Sequence, residues 1–216
     1  MMRHYILLKL WRRHINYKIM NKQIREVTKA DLIPADEYAK NRKAYRKEIV
    51  SYKKDRRVSL GPYANFYFES YETMKAQIQE MLHIEKGGDA QLKDELAAYN
   101  PLIPKGKELV ATLMFEIDNP LSRAEFLNKV GGIEEKVFLK IGEEKIKSIP
   151  EQDVDRTSAE GKASSVQFIH FEFTDAQIEK FKDQSNEIII GVEHEMYKHT
   201  VKLDANCKKA LALDFS

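Results

Sequence analysis

The fold is decided by residues 56–117, which begin with RRVSLGPYANFYFE (56–69) and end with ELVATLMFEI (108–117). Apolar and polar side chains alternate in both stretches, which is the period of a half-buried β-strand. Between them, SYETMKAQIQEMLHIEK (70–86) and DAQLKDELAAYNPLIP (89–104) carry apolar residues at helical spacing. Because only Gly87-Gly88 separates the two helical patterns, we predict two antiparallel helices that lie against the strands.

The flanking sequence extends this arrangement in both directions. Upstream, Tyr38, Tyr45, Ile49 and Tyr52 recur at helical spacing, which predicts a helix over about residues 35–56 with one apolar face. Downstream, alternating and β-branched segments predict strands at 137–141, 145–149, 165–173, 188–192 and 197–203, and helices at about 174–182 and 205–213. We therefore predict an α+β protein in which N-terminal helices pack on a mainly antiparallel β-sheet, with a short C-terminal helix.

Length and composition fit one domain with a short extension. The chain has 216 residues, of which 43% are hydrophobic, enough for a sizeable core. We predict a single α+β domain over residues 28–216 and a basic N-terminal extension over residues 1–27. The segment that starts at Met20 (MNKQIREVTKADL) looks like an ordinary N-terminus, so one interpretation of the extension is an over-called start codon; the other is an organelle presequence. No apolar run in the sequence has the length of a membrane span.

Charge is divided unevenly along the chain. The net charge is +2, but residues 1–57 contain 17 Lys and Arg against 6 Asp and Glu, a balance of +11, and residues 58–216 contain 19 against 28, a balance of −9. A basic segment with tyrosines could bind nucleic acid through residues 35–57. We favour the alternative, in which this helix packs its apolar face on the acidic body and leaves its charges in water. The single cysteine, Cys207, excludes an internal disulfide and fits a reducing, cytoplasmic location.

Two histidine-containing patterns are candidate metal sites, although the sequence contains no P-loop, dinucleotide fingerprint, cysteine-pair zinc motif or nucleophile elbow. Glu80 and His83 have the spacing of half a diiron site on a helix, but a second such pair is missing. Residues 193–195 (Glu-His-Glu), together with His199, form the second pattern, which His170 could join. A transition metal bound by His194, His199 and His170 would indicate a metal-dependent enzyme; the alternative is a polar turn between two strands.

A third candidate is a set of polar side chains distributed over the two helices and the strands around them. Its members are Arg57, Gln77, Glu80, Glu95, Tyr99, Asn100, Thr112 and Glu116. Polar groups that are buried need partners, so we expect an Arg–Glu pair, either Arg57 with Glu80 or Arg57 with Glu116. The set has two interpretations: a structural network that fixes helix against sheet, and the lining of a ligand pocket.

The chain resembles the bacterial family numbered 3501 among the domains of unknown function, over about residues 28–214. The likeness rests on RRVSLGPYANFYFES, QIQEML, ELAAYNPLIP, ELVATLMFEI and the late HEMYKH, in that order. The residues that carry it are Arg57, Gly61, Glu69, Gln77, Glu80, Met81, Glu95, Tyr99, Asn100, Pro104, Thr112, Glu116, Tyr197 and His199. The family more often has Arg at the position of His83, which weakens the diiron hypothesis.

The resemblance implies a bacterial cytoplasmic protein in a setting with rubrerythrin-like and iron–sulfur oxidoreductases. Our leading hypothesis is therefore a binding or accessory protein in an iron- or peroxide-linked redox system, with partners of the rubrerythrin or iron–sulfur type. The alternatives are a metal-dependent enzyme that uses His194, His199 and His170, and nucleic-acid binding through residues 35–57. The resemblance assigns no catalytic residue, cofactor or oligomeric state, so the sequence leaves open whether the protein is an enzyme.

Overall fold

Two antiparallel β-sheets face each other across one apolar core in the part of the chain that this computed structural model describes, residues 26–151, 157–158 and 161–215. The predicted extension, residues 1–27, lies outside the described residues apart from its last two. The strands within these ranges are β1 Arg57–Leu60, β2 Ala64–Phe68, β3 Glu108–Phe115, β4 Val137–Ile141, β5 Glu144–Lys147, β6 Ile149–Pro150, β7 Val166–Glu172, β8 Ile188–His194 and β9 Tyr197–Lys202. The helices there are α1 Ala35–Lys54, α2 Tyr71–Glu85, α3 Gly88–Tyr99, α4 Pro120–Leu127, α5 Asp175–Lys182 and α6 Ala205–Ala212.

The α+β class is confirmed, and the strands divide into two layers. The five-stranded sheet has the order β1-β2-β3-β7-β6, and the four-stranded sheet has the order β5-β4-β8-β9. Leu109 and Leu113 of β3 face the core, whereas Val110 faces the opposite side, as the alternation predicts. Leu139 of β4 and Ile190 of β8 meet them from the second sheet. Each sheet turns an apolar face toward the other, so packing the two faces together removes both from water.

Helices α2 and α3 cover the outer face of the five-stranded sheet. Met74 and Ile78 of α2 and Leu92 of α3 form an apolar cluster with Val110 of β3. Lys86 adopts the left-handed conformation (φ 56°), which ends α2 and turns the chain back into α3. The sheet therefore has an apolar core on one side and a helical layer on the other.

Helix α1 packs on α2 through its tyrosine stripe. Tyr38 is buried and stacks on Tyr45, with 5.7 Å between the ring centroids. The helix ends at Lys54, two residues before its predicted end, because Arg56 turns into the interior. The predicted C-terminal helix is α6. Of the helices that the described residues form, none combines the length and apolar character needed to cross a bilayer.

Candidate functional site

Glu116, just after β3, is the centre of a polar surface network beside β1, β2 and β3. Its carboxylate accepts hydrogen bonds from Arg57 Nη2 at 3.1 Å and from Asn65 Nδ2 at 2.7 Å. The Tyr67 hydroxyl donates to the other carboxylate oxygen, and the Arg57 guanidinium lies 5.3 Å from the Tyr67 ring centroid. Of the two partners that the sequence allowed Arg57, the structure therefore gives it Glu116. The side chains of Arg57 and Glu116 are 47% and 40% exposed, so this network faces solvent.

Glu80 has other partners and joins α2 to α1. Its carboxylate accepts hydrogen bonds from the Tyr38 hydroxyl at 2.7 Å and from Arg42 Nε at 3.1 Å. The hydrogen bond from Arg42 lowers the pKa of Glu80 to about 2, against the opposing effect of burial. The His83 ring meets Tyr38 edge-on, with 5.5 Å between centroids. Glu80 and His83 thus both contact the stripe of α1.

The other helical members of the predicted polar set make separate contacts. Gln77 Nε2 lies 3.4 Å from the Tyr99 hydroxyl. Glu95 accepts a hydrogen bond of 3.0 Å from within its own helix. Asn100 Oδ1 accepts a hydrogen bond from the Val27 amide at 2.8 Å, and Asn100 Nδ2 donates one to the Val27 carbonyl at 3.1 Å. These two bonds hold the segment before α1 against the end of α3. In the described structure the set is therefore divided among several contacts.

Thr112, a member of the predicted polar set, belongs to a buried seam whose other residues lie outside that set. Its hydroxyl donates to Glu69 Oε1 at 2.7 Å, and Thr73 donates to Glu69 Oε2 at 2.6 Å. Arg56 contacts the Glu69 carbonyl and donates to both carboxylate oxygens of Asp214 at 2.8 and 2.9 Å. Arg56 and Asp214 are 158 positions apart in the chain, so no local pattern indicates this pair. The buried seam, residues Arg56, Glu69, Thr73, Thr112 and Asp214, joins the sheet to α2 and to the segment after α6.

His170 of β7 is held between two carboxylates. Its Nδ1 lies 2.9 Å from Glu108 Oε2, and its Nε2 lies 3.0 Å from Glu151 Oε2. Burial alone would lower the pKa of His170, but the hydrogen bonds and charges of Glu108 and Glu151 outweigh it and raise that pKa above its ordinary value. The two carboxylates lie at opposite ring nitrogens of His170. This arrangement of His170, Glu108 and Glu151 is called the His170 clasp below.

His194 and His199 lie in the other sheet, in β8 and β9. His194 Nδ1 accepts a hydrogen bond from the Met196 amide at 3.2 Å. The His199 ring packs edge-on against Tyr197, with 4.5 Å between centroids, and lies where a side chain on Gly61 would be. Across residues 26–151, 157–158 and 161–215, no group of three or more His, Cys, Asp or Glu side chains could hold a metal ion. The structure therefore does not bring His170 together with the other two histidines.

The outer face of the four-stranded sheet concentrates positive charge. Strand register places five lysines and one glutamate, Glu193, on this face within the described residues. The lysines, which define the lysine face, are Lys140, Lys145, Lys147, Lys198 and Lys202. In its middle, Lys145 Nζ lies 4.0 Å from the Phe138 ring centroid. The ring covers Gly191, where an added Cβ would lie only 2.5 Å from Phe138 Cζ, so this glycine is required for the ring to lie flat on the sheet.

The lysine face was not predicted from the sequence, although part of its signal is visible there. Lys145 and Lys147 alternate with an apolar residue, and Lys198 and Lys202 are four positions apart. Such spacing places side chains on one face of a strand, but only the strand order brings separate strands into one surface. At the edge of this face an open groove of about 470 Å³ is lined by Val192, Glu193, Lys198, His199 and Thr200.

Comparison with known proteins identifies the family. A crystal structure of a protein of unknown function from Burkholderia pseudomallei is 36% identical and superposes with a TM-score of 0.82, covering 88% of this chain and 99% of that one. No curated protein matches the chain. The family described as "Protein of unknown function (DUF3501)" matches residues 26–215. The resemblance inferred from the sequence motifs is therefore confirmed, and the chain belongs to this family.

Proposed function

We propose that this protein is an accessory protein that binds an acidic protein partner of an iron- or peroxide-linked redox system, and that the lysine face is its binding surface. The observation that carries the proposal is the placement of five lysines on one sheet face of the described chain, against Glu193 on the strands and Glu143 and Glu187 beside them. The family resemblance supports the setting, with partners of the rubrerythrin or iron–sulfur type. Complementary charge of this kind speeds the encounter of two proteins and selects against partners of the wrong sign.

The ion pairs on the lysine face leave its charge available. Lys140 pairs with Glu143 at 3.3 Å, Lys145 pairs with Glu193, and Lys202 pairs with Glu187 at 2.6 Å. These pairs are at least partly exposed, and pairs of this kind contribute only about 0–1 kcal/mol. Lys198 forms no ion pair with any described residue. Carboxylates of a partner can therefore replace the present ones at small cost.

Helix α1 is basic, but several of the side chains that could bind a nucleic acid are occupied by internal contacts. Tyr38 is buried, and its ring stacks within the helix. Arg42 is bound to Glu80, and Arg57 is bound to Glu116. These internal contacts occupy groups that base stacking and phosphate binding would need. Residues 35–57 therefore serve better as the control surface for the lysine face.

The proposal is tested by affinity capture from native cells with matched charge reversals. Lys140→Glu combined with Lys147→Glu alters the lysine face, and Lys43→Glu combined with Lys47→Glu makes the same charge change on α1. We expect the wild-type protein and the α1 variant to capture an iron- or peroxide-linked redox protein at low salt. The lysine-face variant should capture at least tenfold less, and capture should weaken as salt screens the charges.

Three results would contradict the proposal. They are the recovery of no redox protein, the recovery of nucleic acid in its place, and an equal loss of capture in the two double variants. Far-ultraviolet circular dichroism of both variants establishes that the fold is retained, so that a loss of capture reports on the surface.

A further inference from the structure

Strand β9 (Tyr197–Lys202) is an edge of the four-stranded sheet and has a free row of backbone groups. In the described part of the chain its ladder partner is β8 alone. The hairpin between them closes on the pair His194–Tyr197, and the Leu203 amide donates to the Ile188 carbonyl at 2.8 Å. In an antiparallel ladder, bonded and non-bonded pairs alternate.

It follows that the residues between these bonded positions turn their backbone groups outward. The N–H and C=O groups of Lys198, Thr200 and Lys202 point away from β8. The open groove of about 470 Å³ lies over the β8–β9 pair, since Val192 and Glu193 line it together with Lys198 and Thr200. The β1–β2 turn approaches the first half of β9, where the Tyr197 hydroxyl donates to the Leu60 carbonyl at 2.5 Å and the His199 ring lies against Gly61. The edge of β9 therefore has unused backbone hydrogen-bonding groups over Lys198–Lys202.

The side chains along this edge indicate what could pair with it. Lys198, Thr200 and Lys202 are exposed and lie on the lysine face. A strand added beside β9 would place its own residues opposite these three at alternate positions. Opposite charges directly across a strand pair are favourable, and like charges are unfavourable. Acidic residues four positions apart would therefore face Lys198 and Lys202 together.

We propose that β9 binds an extended acidic segment of a partner protein, which adds to the four-stranded sheet as a fifth strand. Main-chain hydrogen bonds supply the affinity in this mode of recognition, and alternate side chains supply the specificity. The same lysines make the edge repel a second copy of itself, since exposed lysines on edge strands oppose edge-to-edge pairing. This inference rests on the proposed function and specifies how the acidic partner attaches.

The probe is a short synthetic peptide of alternating threonine and valine that carries two glutamates four positions apart. Two control peptides have lysines in place of the glutamates, or the same glutamates three positions apart, which puts them on opposite faces of the strand. Binding to the full chain is measured by fluorescence anisotropy. We expect the first peptide to bind at least tenfold more tightly than either control. Amide hydrogen exchange of the wild-type protein should slow at Lys198, Thr200 and Lys202 when this peptide is bound.

A proline substitution tests the backbone contact directly. Thr200→Pro removes one outward N–H and breaks no bond to β8, a position at which edge strands tolerate proline. We expect it to weaken peptide binding at least tenfold, while Thr200→Ala changes binding less than twofold. Lys198→Glu combined with Lys202→Glu should reverse the preference toward the lysine peptide.

The proposal is overturned by equal binding of the peptide to the proline and alanine variants, by unchanged exchange at the three amides, or by no binding at millimolar peptide. The two proposals fail in different ways. If Thr200→Pro captures the redox partner as well as the wild-type protein does, edge pairing is wrong and the lysine face still stands. If peptides bind as expected but native cells yield no redox protein, the proposed function is wrong and edge pairing stands.

Discussion

Replacing Asp214 with alanine should lower the free energy of unfolding by about 3–5 kcal/mol, which is the usual cost of removing one partner from a buried ion pair. Arg56 is 2% exposed and Asp214 is 6% exposed, so water cannot replace the lost carboxylate. In the variant the guanidinium would keep its contacts to the carbonyls of Ala210 and Glu69, at 3.0 and 3.4 Å, and to the Tyr52 ring, 5.0 Å from the centroid, but would lose the carboxylate that neutralises its charge. For a protein of this size the loss corresponds to a fall in melting temperature of about 6–20 °C.

The measurement is urea unfolding followed by circular dichroism, with Asp89→Ala as the control. Asp89 pairs with Lys29 at 2.7 Å, but both side chains are at least 70% exposed, so its loss should cost less than about 1 kcal/mol. Arg56→Met combined with Asp214→Leu should recover much of the lost stability, because no unpaired charge then stays buried. If Asp214→Ala costs no more than Asp89→Ala, burial of the Arg56–Asp214 pair does not determine its contribution to stability.

Two further predictions concern the His170 clasp and the middle of the lysine face. The pKa of His170 is raised by Glu108 and Glu151, so the clasp stabilises the fold fully below the ordinary histidine pKa of about 6.5 and loses that contribution as pH rises through the higher folded-state pKa. His170→Gln should flatten the decline in unfolding free energy on the alkaline side, and identical pH profiles for the two proteins would contradict this account. Gly191→Ala should lower the free energy of unfolding by about 1–3 kcal/mol through overpacking, because its Cβ would lie 2.5 Å from the Phe138 ring. A melting temperature equal to that of the wild type would show that the Phe138 ring moves aside without cost.

Features of the fold that depend on the spacing of apolar residues within one strand or helix could be predicted from the sequence. The alternation of β3 fixed which side chains, such as Leu113, face the core and which, such as Val110, face the helices. The helical pattern at residues 70–86 and the two glycines after it predicted the bounds of α2 closely, since the helix runs from Tyr71 to Glu85. The division of the strands into two layers could not be predicted in this way, since the period of a strand shows which face is apolar but not which other sheet covers it.

The candidate sites depended more on distant contacts, and here the sequence allowed alternatives that only packing resolves. Arg57 had two acidic candidates, and Glu116 is its partner because β1 and β3 both flank β2. Glu80 pairs instead with Arg42 of α1. The sequence predicted this helix but not the surface on which it packs. The lysine face arises from strands separated by about fifty residues along the chain, from Lys145 to Lys198. Charge spacing within one strand cannot indicate which strands become neighbours.

The pairing of Arg56 with Asp214 also constrains when the protein can finish folding. The ribosome adds 158 positions between the two residues, which takes about 8–30 s at ordinary rates of synthesis. Throughout that interval the guanidinium has no carboxylate from Asp214 and must stay hydrated, so the junction after α1 cannot close as the chain emerges. Nascent chains arrested before Asp214 should therefore remain open to proteolysis at this junction. The C-terminal segment must therefore be added before the buried seam can be completed.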